Sequence, residues 1–315
     1  MKKILLSVTT LILCVTTFGQ NSADLKFTPE KNKIYRLNSE TEQTVLQNVN
    51  GNEQTVESNT GYVISLKMMD ATPAFIVAEI RFDSIETRTN SMGVVSGMSS
   101  TKEGNVKSEE TADIMSYFMN KMSKNPVFAK IDPTGKTMEI VNSKMVAGMI
   151  LKDTSQMTLA DPVGSALKTQ IVRMVSDDGY KTLIDGFTNY LPGKTVKTGE
   201  TWTVSSPTNA GGMSLDILTS YKLDDISGNN AKISAESNIK ASANAAPMKS
   251  GGATITYDNI KGLSKSNITV DIRTGLVVES VSKTHISGNL GVTVPGTSLE
   301  IPIDINSNSK VGLIQ

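Results

Sequence analysis

The chain has 315 residues, with 31 basic and 31 acidic side chains, one histidine and one cysteine. Because this balance leaves no basic excess to neutralise phosphates, no nucleic-acid partner is expected. A single histidine and a single cysteine also exclude metal sites that need several such ligands.

The amino terminus has the three-part layout of a secretory signal peptide. Lys2 and Lys3 open it, residues 4–18 form an apolar and hydroxyl run, and the small residue Gly19 follows. The run is shorter than the roughly 20 apolar residues that cross a bilayer, which favours cleavage over anchoring. We expect cleavage after Gly19, with Ala23 as a later option. The protein is then exported, either to the periplasm or to the extracellular or outer-membrane side of the cell envelope.

The only cysteine, Cys14, falls within this apolar run. An exported protein can be lipidated on a cysteine, but that processing favours a small preceding residue, and Leu13 precedes Cys14. We therefore expect residues 1–19 to be an ordinary signal peptide rather than that of a lipoprotein. Residues 20–315 then form one exported α+β domain without disulfides. No later segment is apolar for long enough to be a transmembrane helix.

The first part of the exported chain has the pattern of long strands. Within residues 34–89, apolar positions alternate with polar ones over Tyr62–Met68 and again over residues 74–88. A period of two indicates half-buried strands, and the turn between them predicts a hairpin with long arms. Residues 91–107 are rich in glycine and serine and predict a flexible loop or a weak strand.

Residues 108–191 have helical spacing and predict an α-helical insert. Apolar residues recur at intervals of three and four in Thr111–Met122, in Ser143–Leu151, and in segments that begin at Pro162 and Asp178. A short hairpin is expected between the first two helices. After the insert, the alternation of a β-sheet continues to the end of the chain.

A weak internal echo links two Thr-Gly turns. Thr134-Gly135 and Thr274-Gly275 are each followed by an acid four residues after the glycine. The echo is compatible with a weak duplication of two β modules, although such turns are also common in unrelated hairpins.

The residues support few catalytic mechanisms. His285, the only histidine, shares a strand face with Lys283 and is expected in solvent. No G-x-G-x-x-G or G-x-x-x-x-G-K motif occurs, so no nucleotide cofactor is expected. Carboxylates such as Asp258, Asp271 and Glu279 leave acid chemistry open, but most are expected on solvated faces. We therefore expect no enzyme activity, no cofactor and no metal site.

Methionine is the one unusual residue type, since ten of the 15 lie between Met92 and Met174. Its flexible, polarisable side chain suits adaptable apolar surfaces, which indicates a pliable wall over an apolar ligand. The other interpretation is core packing, because helices beside a sheet must bury an apolar face in any case. The candidate ligand-binding residues are Met115, Phe118, Met119, Met122, Met145 and Met149.

Two motifs carry a resemblance to a known family. Leu191–Trp202 contains Leu-Pro-Gly and then Val-x-x-Gly-x-x-Trp, and Asp271–Ser280 contains an Asp followed by a Thr-Gly turn. With the signal and the strand–helix–strand order, they resemble an uncharacterised exported domain-of-unknown-function family of Gram-negative bacteria. That resemblance covers most of the chain and implies no activity or catalytic residue. In architecture alone, the chain more distantly resembles the half-barrels that carry lipids or lipoproteins between bacterial membranes.

These observations predict an α+β fold, namely a curved, mostly antiparallel, half-barrel-like β-sheet with an α-helical insert. The expected function is non-catalytic binding or carriage of an apolar ligand, a lipid or lipoprotein, in the cell envelope. The alternative is an envelope structural or protein-interaction domain without a ligand cavity, in which case the partner is another envelope protein. An enzyme with two converging carboxylates is a third interpretation.

Overall fold

The computed structural model describes residues 21–49, 51–210, 213–243, 245, 247–250, 253–294 and 296–314. The expected signal peptide, with Cys14 and the cleavage site at Gly19, lies outside the described residues. The later cleavage option, Ala23, lies within the first strand and is buried.

The described residues form fifteen β-strands and four α-helices. The strands are β1 (Ser22–Leu25), β2 (Ile34–Val49), β3 (Asn52–Ala71), β4 (Ile76–Ser91), β5 (Val94–Ser99), β6 (Val127–Ile131), β7 (Thr137–Ile140), β8 (Lys194–Lys197), β9 (Thr201–Ala210), β10 (Met213–Ser227), β11 (Asn230–Ala241), β12 (Met248–Ser250), β13 (Ala253–Asp271), β14 (Leu276–Val294) and β15 (Thr297–Ile314). The helices are α1 (Thr111–Lys124), α2 (Ser143–Leu151), α3 (Val163–Met174) and α4 (Asp177–Thr188), and a 3-10 helix, Lys152–Gln156, follows α2.

One large antiparallel sheet organises the molecule. Its strands follow the order β7-β6-β4-β3-β2-β15-β14-β13-β11-β10-β9, with β5 paired to β4 and β12 paired to β13. Over the described residues the sheet is open and curved. The small remaining sheet pairs β1 with β8. The predicted fold class, a curved antiparallel sheet with a helical insert, is therefore confirmed.

Local sequence pattern placed the main elements well. The β3–β4 hairpin and all four helices occur where the alternation and the helical spacing predict them. In the segment expected as a flexible loop or a weak strand, the second alternative is confirmed by β5, which forms a regular hairpin with β4. The turn of that hairpin uses Met92 and Gly93 at φ 51° and 84°. Methionine is an unusual residue in such a turn, so the sequence carries no Asn-Gly signal there.

The helices cover one face of the sheet, which we call the inner face. The ring of Tyr180 on α4 lies 5.8 Å from that of Phe82 on β4. On β5, the Ser99 N–H donates to the Ser116 hydroxyl of α1 at 3.1 Å. We call the covered part of the inner face its proximal half. Its fully buried strand residues include Leu37, Ile64, Leu66, Ile80 and Phe82. Within the described ranges, no helix is both long and apolar enough to cross a membrane.

Candidate functional site

The inner face continues along the same strands beyond the helices, and we call this continuation the distal half. On β2, Leu37 lies in the proximal half and Val45 lies further along on the same side, because side chains alternate with a period of two. A second apolar cluster, the distal cluster, has Leu215, Ile239, Ile260, Ile303 and Ile305 at its centre. Half-buried apolar residues pack against it: Val45, Met213, Ile217, Ala241, Tyr257, Ile286 and Leu290. Among the described residues, none from a helix belongs to this cluster.

A band of hydroxyl groups crosses the inner face between the proximal and distal apolar clusters. Strand register places its members side by side from β4 to β10. The hydroxyl band consists of Thr87, Thr89, Ser58, Thr60, Thr41, Ser307, Ser309, Ser282, Thr284, Ser264, Ser266, Ser237 and Thr219. A polar strip therefore separates the closed core from the distal cluster.

Neighbouring strands pair their hydroxyl groups within this band. The oxygen–oxygen distances are 2.9 Å for Thr41–Ser309, 2.7 Å for Ser266–Ser282, 2.7 Å for Thr284–Ser264 and 2.8 Å for Thr219–Ser237. Each hydroxyl has one donor and two acceptor sites, and a pair uses only one donor and one acceptor. The band thus retains hydrogen-bonding capacity toward a polar group placed over it.

The two faces of the sheet differ sharply in charge. The band and the distal cluster contain no charged side chain, whereas the opposite, outer face carries Lys265 and Lys283 in solvent. His285 also lies on the outer face, with its Nε2 2.6 Å from Asp304 Oδ2 and its side chain 55% exposed. The expected exposure of His285 is borne out.

One cation from the helical insert acts on the distal half. Burial raises the pKa of the Tyr257 phenol, and the positive charge of Arg173 near the end of α3 partly offsets that rise. Arg173 is exposed. The positive charge of Arg173 therefore acts on Tyr257, a half-buried residue that packs against the distal cluster.

The six candidate residues of the insert do not form one surface. Met115, Phe118, Met119 and Met122 on α1 are 0–6% exposed and pack in the core. Met145 and Met149 on α2 are 59% and 39% exposed. Ligand binding at these residues stays a prediction, but four of them already have the protein's own core as their neighbour.

The two Thr-Gly turns both hydrogen-bond to the short segment that contains Phe27 and Thr28. The Phe27 N–H donates to the Pro133 carbonyl and the Thr28 N–H donates to the Thr274 carbonyl, each at 2.9 Å. The hydroxyl of Tyr190 donates to the carbonyl of Gly275 at 2.7 Å. These contacts tie the helical insert to the sheet. Duplication of a β module remains a prediction.

Trp202, the tryptophan of the first motif, also packs where the helical insert meets the sheet. The indole N–H of Trp202 donates to the Tyr190 carbonyl at 3.1 Å, and its ring stacks on Tyr221 at 5.6 Å. Burial raises the pKa of Tyr221 to about 12, so its hydroxyl stays protonated. Trp202, which belongs to a motif that carries the family resemblance, thus packs at the junction between the helical insert and the sheet.

A surface groove of about 450 Å³ lies beside the paired turns. Its lining includes Phe27, Met68, Phe75 and Lys31, and Lys31 forms an exposed ion pair with Asp70. The groove does not reach α1 or the distal cluster. The segment held by the turns, which includes Phe27 and Thr28, is part of its lining.

Sequence reasoning missed the distal cluster and the hydroxyl band. A signal was present in β14, where Ser280, Ser282 and Thr284 alternate with Val281 and Lys283. Serine and threonine are neither strongly apolar nor charged, so this alternation does not predict a buried strand face.

A family model described as a family of unknown function (DUF6263) matches residues 74–277, which is more than half of the chain. The chain belongs to this family. The match to DUF6263 runs from β4 through the insert and the tryptophan motif to the start of β14. The expected membership in an uncharacterised family is therefore confirmed, and DUF6263 supplies no activity to transfer. A search of curated proteins finds no match.

Solved structures similar to this DUF6263 chain have very low identity to it. An outer-membrane channel from Pseudomonas putida F1 is 8% identical, with 92% of this chain and 98% of that chain covered and a TM-score of 0.26. OccK11 (OpdR) of Pseudomonas aeruginosa is 5% identical, with 92% and 98% covered and a TM-score of 0.22. A DUF1329 family protein of Desulfovibrio piger is 8% identical, with 88% and 84% covered and a TM-score of 0.13. Such scores carry no argument about function.

Proposed function

We propose that the protein is a non-catalytic, exported binding protein of the cell envelope that holds an apolar ligand, such as a lipid acyl chain, against the distal half of its inner face. One observation carries the proposal. The distal cluster is uncharged and apolar, no described helical residue belongs to it, and the residues that flank its buried centre, which is 3–7% exposed, are only half-buried.

The energetic argument follows from the partly buried side chains of the distal half. Ile217, Ile286 and Leu290 retain apolar surface toward the uncovered side. Removing such surface from water contributes about 25 cal/mol per Å². A contiguous apolar patch on an otherwise charged protein commonly marks a binding site. An acyl chain lying on these residues would give the distal half the cover that α1 and α4 give the proximal half.

The polar surroundings favour an amphiphile over a hydrocarbon without a head group. Hydroxyl pairs such as Thr284–Ser264 border the distal cluster on the helix side. The positive charge of Arg173 acts on Tyr257, which packs against the distal cluster. A ligand with an acyl chain and a carboxylate or other hydrogen-bonding head would meet both surfaces at once.

Titration with a fluorescent fatty acid tests the proposal. We expect saturable binding, and we expect Leu290→Gln to weaken it about tenfold, because a polar amide would replace apolar contact surface. Leu263→Gln is the matched control, since Leu263 lies on the outer face of the neighbouring strand and is 40% exposed. It should bind like the unaltered protein.

Absence of binding, or equal weakening by both substitutions, would contradict the proposal. Recovery of a stable envelope protein partner by a protein without fatty-acid affinity would favour the alternative, a structural or protein-interaction domain.

A further inference from the structure

Helix α2 exposes apolar side chains that nothing in the described fold covers. Every residue from Met145 to Leu151 is apolar or glycine. The helix buries only Val146 and Ile150, while Met145 and Met149 are 59% and 39% exposed. The two methionines are four residues apart and therefore form one stripe along the helix.

Two more exposed apolar residues lie just before α2 in the chain, one on the edge strand β7 and one between β7 and the helix. Val141, just before the helix, is 53% exposed, and Met138 on β7 is 51% exposed. Strand β7 ends the main path of the sheet, so this surface lies at a border of the molecule. We call Met138, Val141, Met145 and Met149 the α2 patch.

Lysines accompany this patch. Lys144 and Lys152 are exposed and two helical turns apart, so they form a stripe next to the methionines. Gly148 lies between them, with open space where a side chain would stand. Lys136, at the start of the same edge, is also exposed. Among the ion pairs of the described residues, none involves these three lysines.

The acids nearby are already engaged. Asp153 is buried and accepts from the Tyr117 hydroxyl at 2.8 Å and from Lys121. Glu139 pairs with Lys130 at 2.7 Å. With these two acids paired, Lys144 and Lys152 leave the exposed side of α2 positively charged, whereas Lys136 has Asp132 beside it.

We propose that the α2 patch docks on the surface of an anionic lipid bilayer. Met145 and Met149 would enter the boundary between head groups and acyl chains, while Lys144 and Lys152 extend toward lipid phosphates. Helices with an apolar stripe and flanking lysines bind in this way, because the lysine stems lie on apolar surface and their charged ends reach the head groups. Charge complementarity favours this occupant over a protein partner, since lysine is depleted in protein–protein interfaces.

The bilayer site and the fatty-acid site are separate. Met145 and Met149 lie on α2, and no helical residue of the described structure belongs to the distal cluster. Docking therefore goes beyond ligand binding and can fail or succeed independently of it.

Vesicle flotation tests the inference. The purified protein should float with vesicles of equal parts phosphatidylcholine and phosphatidylglycerol, and far less with phosphatidylcholine alone. High salt should weaken binding because it screens lysine–phosphate attraction. The double variant Met145→Gln, Met149→Gln should bind about tenfold more weakly, and Lys144→Gln, Lys152→Gln should lose a similar factor.

The matched control is the double variant Leu218→Gln, Leu263→Gln. These leucines are 52% and 40% exposed on the outer face of the sheet, away from the α2 patch. This variant should float like the unaltered protein, and circular dichroism should report the same fold for all three. Failure to float with anionic vesicles, or equal loss in the control, would overturn the inference. So would light scattering that shows the methionine variant dissociating a dimer while vesicle binding is absent.

Discussion

The proximal and distal halves of the inner face are built from the same strands, yet they bury their side chains to different degrees. Leu37 on β2 and Leu66 on β3 are 0% exposed beneath the helical insert. Val45 on β2 and Leu290 on β14 have the same orientation but remain half-buried. The period of a strand thus decides which side a residue faces, and tertiary packing decides whether that side is closed.

The same contrast separates the two kinds of methionine. The α1 methionines lie where the insert meets the sheet and complete a core, whereas Met145 and Met149 lie one helix further out and face solvent. Composition alone indicates adaptable apolar surface for both groups. Their position relative to the sheet gives them different roles.

The largest expected effect compares two leucines from the two halves. Leu66→Ala removes a fully buried side chain and should lower the free energy of unfolding by about 2–5 kcal/mol. Leu290→Ala removes a half-buried one and should lower it by only about 1 kcal/mol. Urea denaturation measures both values. Equal losses would mean that the distal half is as closed as the proximal half.

The second-largest effect compares two turns, the β13–β14 turn at Gly275 and the β2–β3 turn at Gly51. Gly275, at φ 71°, is packed so closely that a Cβ would overlap the Lys26 carbonyl oxygen. Gly51, at φ 82° in the β2–β3 turn, has open space instead. Gly51→Ala should cost about 1 kcal/mol from backbone strain alone.

Gly275→Ala should cost at least about 2 kcal/mol more, because the overlap adds to the strain. Thermal unfolding of the two variants gives the comparison. Similar melting temperatures would show that close packing of the Thr-Gly turn at Gly275 contributes little to stability.

The smallest effect concerns the carboxyl group of Asp185 on α4, one of the helices that cover the proximal half. Burial raises the pKa of Asp185, although the Thr137 backbone N–H donates to its Oδ1 at 2.7 Å and opposes the rise. The folded state therefore holds this proton more tightly than the unfolded chain. The resulting stabilisation is complete below the ordinary carboxyl pKa and is lost as pH rises through the raised one.

Asp185→Asn keeps an acceptor oxygen but cannot ionise. Its unfolding free energy should decline less than that of the unaltered protein as pH rises through the acidic range. At neutral pH the variant should be at least as stable. Denaturation at a series of pH values checks this, and parallel profiles would mean that Asp185 is solvated.

Sequence pattern predicts the elements of this fold better than their assembly. The alternation over Tyr62–Met68 and the helical spacing of Ser143–Leu151 correctly locate β3 and α2, because each depends on local burial. The pairing of β2 with β15 joins distant segments of the chain, and no local feature of either strand specifies the other. Without that pairing, the continuous inner face and its hydroxyl band cannot be derived.

The site residues predicted from the sequence lie on the helical insert, whereas the distal cluster lies on strands. Methionine content indicated adaptable apolar surface, and α2 does expose it. The distal cluster instead consists mainly of isoleucine and leucine on strands, such as Ile303 and Ile305. Those residues look like ordinary core in sequence, and only the absence of a described helix over them distinguishes them.

Photo-crosslinking with a diazirine fatty acid, followed by peptide mapping, tests the central claim most directly. The ligand should label inner-face residues of β13, β14 and β15 around Ile286, Leu290 and Ile303, and Leu290→Gln should reduce that labelling. Labelling confined to α1 between Met115 and Met122, or labelling that excess unlabelled fatty acid does not displace, would contradict the account.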